Sequence, residues 1–206
     1  MDMTLRDFQS ALASSSPTPG GGTAAAVALG QAASLTVMVC DLTLGNEKWA
    51  DGWAVAEAAQ TVAIPLLNRA GELAQADSDA FDGVMGSFKL PKSTDAEKTE
   101  RRDAIRKATL VAAEIPYETA RSALALMKHL PELAKRGNGN AVSDVGVAGL
   151  FASAAAKGAV FNVEINLGSL PKELGSELRS DLLTLKNEVK VISREIMQAV
   201  RDRLEE

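Results

Sequence analysis

The sequence of 206 residues contains a single cysteine, Cys40, and a single histidine, His129. One cysteine excludes a disulfide framework and a cysteine-based zinc site. One histidine excludes a histidine-rich metal centre and leaves little for serine–histidine catalysis. Cys40 stands in an apolar stretch that favours a packing role, and His129 precedes a predicted helix end, where we expect a surface residue. We therefore predict no metal site.

Aromatic residues are also scarce, at 4%, although hydrophobic residues reach 46% and charged residues 24%. This apolar content is enough to offset the entropy of ordering, so we expect a folded chain. With few aromatics, the core has to be built from Ala, Leu, Val and Ile, which favours closely approaching helices. The net charge of −5 argues against a nucleic-acid partner.

Long apolar runs are rare, and the single membrane candidate is the weakly charged stretch 10–40. The loop sequence SSSPTPGGG at 14–22 interrupts it, so we interpret the remainder as a buried helix and predict no membrane partner. The charged segment Met1–Asp7 has no apolar core typical of a targeting signal. We expect a cytoplasmic protein.

The dominant apolar spacing is helical, and loop signals divide the chain into about six long helices. Their predicted bounds are 4–13, 22–44, 51–88, 95 to 130 or 136, 143–168, and 169–171 to the C-terminus. Pro65 and Pro116 are expected to kink two of them. A short alternation over 160–167 leaves a strand as the alternative there. The pattern predicts one all-α domain over 1–206, an antiparallel helix bundle.

Asp77 is the most informative charged residue. At helical spacing it falls on the inward stripe of its helix with Leu73 and Phe81, where a carboxylate is costly unless it is paired or faces a wet cavity. A candidate catalytic acid or base and a simple inter-helix hydrogen bond both explain such a position. Asp79 and Asp82 fall on outer positions and are expected in solvent.

Three glycines, Gly20–Gly22, open directly into a helix after Pro19. Bare N–H groups at the positive end of a helix dipole suit an anion or a developing negative oxygen. No strand precedes the glycines and no Lys-Ser/Thr pair follows them, so the loop is not a P-loop. A tight bend between two packed helices is the alternative.

Asn162 and Asn166 share one helical face, and paired amides there can bind a flat ring that offers donors and acceptors. Bridging between helices is the alternative. Asp144 lies on the same face but eighteen positions earlier, about 27 Å away along a helix, so the two need not share a pocket. Ser143 is a good N-cap for this helix, and Asp144 suits its first turn.

Four cationic residues surround the KLPKST loop at 89–94 and could hold a carboxylate tail at the mouth of a cleft. A solvated face with pairs such as Glu97–Arg101 explains them equally well. They are Lys89, Lys92, Arg101 and Arg102.

Eight short stretches, in this order and spacing, resemble the cyclodeaminase/cyclohydrolase family of folate enzymes. They are SSSPTPGGG (14–22), MVCDLTLG (38–45), DAFD (79–82), LPK (90–92), KRGN (135–138), SDVGVA (143–148), FNV (161–163) and INL (165–167). The resemblance covers nearly the whole chain. The sequence shows no formiminotransferase domain, so only the second activity of the bifunctional members is implied.

The resemblance implies an all-helical homodimer that binds a folate, uses no cofactor, and has its catalytic carboxylate at Asp77. Where the family often has Glu, this chain has Asp79. Residues that match the family's motif positions are candidates for the folate site. They are Pro19, Gly20, Gly21, Gly22, Lys92, Ser143, Asp144, Asn162 and Asn166.

The stretch MVCDLTLG and the stand-alone length resemble the cyclohydrolase members, which hydrolyse 5,10-methenyltetrahydrofolate to 10-formyltetrahydrofolate. We therefore expect a methenyltetrahydrofolate cyclohydrolase with Asp77 as general base. The alternative is a formiminotetrahydrofolate cyclodeaminase, which releases ammonia and forms the methenyl compound. Two further alternatives are a non-catalytic helical protein that binds a folate or a partner helix, and a structural dimer without a ligand.

Overall fold

The helical periodicity is realised as seven α-helices in the computed structural model, which describes residues 3–206 and contains no β-strand within them. Met1 and Asp2, the start of the charged N-terminal segment, lie outside the described residues. The helices are α1 (Leu5–Leu12), α2 (Gly21–Thr43), α3 (Trp53–Ser87), α4 (Asp95–Met127), α5 (Leu130–Arg136), α6 (Val142–Gly168) and α7 (Ser176–Leu204), with short 3₁₀ turns at Glu47–Gly52 and Gly139–Ala141. The predicted all-α, single-domain fold is confirmed, and the strand alternative at 160–167 is wrong because this segment lies inside α6.

Helix ends follow the local signals closely where a side chain or a glycine fixes them. The Thr4 hydroxyl accepts a hydrogen bond from the Asp7 amide at the start of α1. Thr94 and Glu97 form a reciprocal capping box at the start of α4. Gly45 adopts a positive φ of 73° just after α2, a conformation that glycine takes at little cost.

Three predicted boundaries are wrong. The fourth predicted helix is divided at Lys128 and His129, and Pro131 occupies the first turn of α5, where its missing N–H costs nothing. The last helix begins at Ser176 rather than at 169–171, after Gly175 turns the chain with a φ of 70°. Ser143 does not cap α6, because Ala141 is the N-cap residue and makes no side-chain cap.

Helices α2, α3, α4 and α6 form a four-helix body in which neighbours run antiparallel, and α7 packs on α6. The buried faces carry mostly alanine, as the composition predicts. At Gly30, an added Cβ would lie only 3.2 Å from the Cβ of Ala70, which shows how closely α2 approaches α3. Helices α3 and α4 continue through Pro65 and Pro116, and the kinks there remain predictions.

Beyond Asp77, the last turns of α3 and the first turns of α4 project from the body as a two-helix arm. The Arg101 guanidinium donates to the Phe88 carbonyl at 3.1 Å and links α4 to the end of α3 within this arm. Phe81 and Met85 are 39% and 44% exposed. The prediction that Phe81 continues the core stripe is therefore wrong, because the body ends near Asp77 and no third helix covers the arm.

Two stretches, Gly21–Thr43 and Gly139–Gly168, are long and apolar enough to cross a membrane by length and composition. The sequence-based prediction named only the first. At least half of the most apolar 18-residue window in each stretch is buried within the fold, and core helices of this kind give the same signal.

Candidate active site

A cavity of about 250 Å³ opens at the end of the body where α2 begins. Four segments that are distant in sequence build it: the loop before α2 with the first turn of α2, the last third of α3, the middle of α4 and the second half of α6. The lining residues are Pro17, Thr18, Gly20, Gly21, Gly22, Asp77, Phe81, Val84, Ala112, Asn162, Ile165 and Asn166. The glycine loop, the inward carboxylate and the two asparagines therefore meet in one place.

Asp77 presents a half-buried carboxylate to this cavity. The Thr23 hydroxyl donates to Asp77 Oδ2 at 2.9 Å, and no cationic side chain of residues 3–206 forms an ion pair with it. Burial raises the pKa of Asp77 above its ordinary value, and hydrogen bonding by Thr23 partly opposes this effect. An unpaired carboxyl with a raised pKa in a cavity is suited to exchange protons with a ligand.

Thr23 is a positioning residue that the sequence analysis missed. Its side chain is fully buried in the first turn of α2, and its hydroxyl lies 3.2 Å from the Ser78 hydroxyl and 3.4 Å from the Gly20 amide nitrogen. A hydroxyl has one proton, so a Thr23 that donates to Asp77 must accept from these two neighbours. The only sequence signal is a threonine in the first turn of an apolar helix.

Gly22 allows α2 to approach Asp77. A Cβ at this position would overlap both carboxylate oxygens of Asp77, whereas a Cβ on Gly21 would make an ordinary contact of 3.9 Å with Asn162 Nδ2. The glycine loop therefore does more than bend the chain. It places the positive end of the α2 dipole beside the carboxylate.

The two asparagines are anchored through their amide nitrogens. Asn162 Nδ2 donates to the Gly158 carbonyl at 2.9 Å on its own helix, and Asn166 Nδ2 donates to the Ala112 carbonyl of α4 at 2.6 Å. The bridging alternative is thus correct for Asn166. Each side chain keeps its oxygen and a second N–H for a ligand in the cavity.

Apolar side chains form the remaining wall. Phe81 and Val84 come from the arm, and Ile165 of α6 is 72% exposed although it lines the cavity. A flat, partly aromatic ligand can therefore find apolar contact on one side and a carboxylate on another.

Four predicted site residues do not line this cavity. Pro19 lies in the loop next to it, although Pro17 and Thr18 do contribute. Lys92 is exposed in the loop between α3 and α4. Ser143 and Asp144 lie in the first turn of α6, at the opposite end of the body from Asn162 and about 27 Å away along the helix.

The cationic residues near the 89–94 loop either bind nearby groups of the protein or lie exposed to solvent. Arg101 binds the Phe88 carbonyl, and Arg102 lies 3.6 Å from the Asp103 carboxylate. The predicted Glu97–Arg101 pair is wrong, because Glu97 accepts from the Ser93 and Thr94 amides instead. The solvated-face interpretation fits this region.

Other residues agree with their simpler interpretations. Cys40 is buried, and burial raises the pKa of its thiol to about 12, which favours packing over reactivity. Asp79 is exposed and accepts from Gln75. Over residues 3–206 no three His, Cys, Asp or Glu side chains gather as a metal site would require.

Comparison with known proteins finds relatives that match nearly the whole chain. The sequence model of the formiminotransferase-cyclodeaminase family matches residues 4–181. A methenyltetrahydrofolate cyclohydrolase from Methylorubrum extorquens is 35% identical over 206 residues, which cover 98% of this chain and 97% of the relative.

Longer relatives and a solved structure match as well. The formimidoyltransferase-cyclodeaminase of Rattus norvegicus is 30% identical over 100% of this chain, but the match covers 38% of the rat protein. The crystal structure of a formiminotetrahydrofolate cyclodeaminase from Thermotoga maritima superimposes with a TM-score of 0.81 at 27% identity, covering 99% of this chain and 96% of that one.

Proposed function

Since this chain belongs to the formiminotransferase-cyclodeaminase family, we propose that it is a methenyltetrahydrofolate cyclohydrolase. The enzyme converts 5,10-methenyltetrahydrofolate and water into 10-formyltetrahydrofolate. The full-length relationship to a cyclohydrolase of similar size supports this activity. The observation that carries the proposal is the convergence of Asp77, the glycine loop and the two asparagines on one cavity.

The charge of the site suits the charge of this substrate. The methenyl carbon lies between two nitrogens in a delocalised amidinium cation, and Asp77 is the one ionisable side chain among the described residues that line the cavity. A cation beside Asp77 lowers the pKa of the carboxyl and favours its ionised form. Binding of the cationic substrate thereby favours the ionised form of Asp77, which is the form that can accept a proton.

The reaction then needs one proton carrier. Asp77 accepts a proton from water as the water oxygen bonds to the methenyl carbon, which gives a neutral carbinolamine. The bond from this carbon to N5 breaks as N5 takes the proton from Asp77. The carbinolamine hydroxyl then loses its own proton to Asp77, which releases it to water, and the carbon becomes the formyl group on N10. Thr23 holds the carboxylate in place throughout through its hydrogen bond.

The other cavity residues bind the folate in this proposal. Gly20, Gly21 and Gly22 present the first turn of α2, Asn162 and Asn166 offer amide groups to the pterin, and apolar contact comes from Phe81. Pro19, Lys92, Ser143 and Asp144 remain proposed folate contacts that the family resemblance implies. We also propose a cytoplasmic homodimer that works without a cofactor, a membrane or a nucleic acid.

Formiminotetrahydrofolate cyclodeaminase is the second candidate. The structural similarity to the Thermotoga maritima cyclodeaminase favours it. In that reaction N10 attacks the carbon of the protonated formimino group, the ring closes, and N10 passes its proton to Asp77. Asp77 returns this proton to the amino group, which leaves as ammonia when its bond to the carbon breaks. The product is the same amidinium cation.

The test is the substitution Asp77→Asn, followed by the methenyl absorbance. We expect wild-type protein to remove the absorbance of 5,10-methenyltetrahydrofolate and Asp77→Asn to lose about 10²–10⁴-fold in turnover while folding normally. The matched control is Asp79→Asn, since Asp79 lies on the same helix in solvent. Near-wild-type turnover by Asp77→Asn refutes the mechanism, formation of the methenyl band from the formimino substrate assigns the cyclodeaminase, and folate binding without turnover makes the chain a binding protein.

A further inference from the structure

An apolar stripe that no part of residues 3–206 covers runs along the outer face of α6. Phe161 and Ile165 are 65% and 72% exposed, and Val147 and Phe151 are 41% and 38% exposed. A monomeric soluble protein rarely exposes a continuous apolar stripe of this length on one helix. We refer to these four residues, with Ala154 and Gly158 between them, as the α6 stripe.

The positions of the α6 stripe are arranged symmetrically along the sequence about Ala156. Its members pair at equal distances from this residue: Val147 with Ile165, Phe151 with Phe161, and Ala154 with Gly158. At 3.6 residues per turn, all six lie within about 40° of one line along the helix. A two-fold interface needs this property, because residue i of one copy contacts j of the other and j contacts i.

We propose that two copies of this chain pack the α6 stripe of one against that of the other, antiparallel, about a two-fold axis that crosses between the helices at the level of position 156. The small residues Ala154 and Gly158 lie at the crossing and let the helix axes approach, and the aromatic pair Phe151 and Phe161 packs on either side. No charged residue lies within the stripe. At its edge lie Lys157, which is exposed, and Glu164, which is paired with Lys186 of α7.

The area of the α6 stripe is sufficient for such a dimer. At the observed exposures the four large side chains and their neighbour Leu150, 58% exposed, remove on the order of 1,000 Å² from water when two copies pair. This buried area lies at the lower end of the range for specific protein–protein interfaces. The area is apolar, as expected at the centre of a homodimer interface.

The antiparallel register completes the candidate active site. Ile165 belongs both to the α6 stripe and to the cavity that contains Asp77. Residue 144 of the second copy falls level with residue 168, about 3 Å along the axis beyond Asn166. The turn with Ser143 and Asp144, remote from the cavity in one chain, thus reaches its mouth from the other copy. Asp144 makes no ion pair among residues 3–206.

Cysteine cross-linking tests the register without reference to activity. Cys40 is buried, so an introduced exposed cysteine is the reactive one. We expect co-expressed, differently tagged Val147→Cys and Ile165→Cys chains to form a disulfide with each other. Neither variant alone cross-links, because identical positions lie about 27 Å apart across the axis. Absence of the mixed disulfide, equal cross-linking of a single variant, or a monomeric wild type in sedimentation overturns the proposal.

Subunit complementation tests the shared site and rests on the proposed function. Asp77→Asn and Asp144→Asn are each expected to lose at least tenfold in turnover. Co-expressed chains should regain about a quarter of wild-type turnover, since half of random pairs are mixed and each mixed dimer contains one intact site. No regain, or full activity of Asp144→Asn, overturns the shared site. If wild type has no folate turnover, the proposed function fails and the cross-linking result still decides the register.

Discussion

A single methyl group at Gly22 is the most selective perturbation of the proposed site. The position is helical and would otherwise favour alanine over glycine. Its added Cβ, however, would overlap the Oδ1, Cγ and Oδ2 atoms of Asp77. The backbone of α2 is packed within the four-helix body and cannot move away easily. Gly22→Ala therefore has to push the Asp77 carboxylate out of contact with Thr23.

The effects on stability and on turnover differ in size. Gly22→Ala gains about 1 kcal/mol in helix propensity and loses the hydrogen bond from Thr23 to a charged group, worth about 1.5–3 kcal/mol. We therefore expect a fall of about 2 kcal/mol or less in the free energy of unfolding. A catalytic group displaced by about 1 Å costs on the order of 10²-fold in rate. Turnover should fall far more than stability.

The assay compares kcat/KM from the decay of methenyl absorbance with the unfolding midpoint in denaturant. Gly71→Ala is the matched control, because Gly71 lies on α3 with no atom within 4 Å of its added Cβ. We expect Gly71→Ala to keep wild-type turnover. Wild-type turnover in a folded Gly22→Ala, or an equal loss in Gly71→Ala, refutes the reasoning that Gly22 exists to admit Asp77.

The remaining predictions concern the ionisation of Asp77. Burial raises its pKa, so the general base is lost as pH falls through a value above the ordinary 3.8, and kcat/KM should show an acid limb there; a limb at or below 3.8 contradicts the assignment. Thr23→Val removes the hydrogen bond that lowers this pKa, so the limb should move to higher pH. Thr36→Val, which removes only a bond to the Ala32 carbonyl within α2, should leave the limb unmoved.

The fold could be predicted wherever a local interaction determines it. Thr94 and Glu97 cap α4 through contacts three residues apart, and Gly45 ends α2 through its own backbone conformation. The start of α7 could not be predicted, because the segment after Pro171 has helical composition. There Gly175 turns the chain so that Arg179 can donate to the Leu167 carbonyl at the end of α6 and to the Leu170 carbonyl just after it.

The candidate site likewise contains residues that a single segment predicts and residues that only the packing of distant segments reveals. The helical period places Asp77 on an inward face, and this was visible from one segment. Thr23 was missed because its partner is 54 positions away. Phe81 was misplaced because the apolar periodicity continues along α3 into the arm, where only α4 packs beside it. Only the packing of the helices shows where the core stops and a cavity wall begins.

A single carboxyl explains why one site suits two reactions of this family. Hydrolysis and deamination both pass through a carbon bonded to nitrogen, and each moves one proton between that carbon's substituents. Asp77 must accept and return this proton in every turnover, so a pKa raised toward the working pH serves both directions better than an ordinary one. A second carboxyl, Asp144 from another copy, would divide these tasks between two groups. The two arrangements differ physically, because one proton carrier gives a rate that depends on one ionisation and two carriers give a bell-shaped dependence on pH.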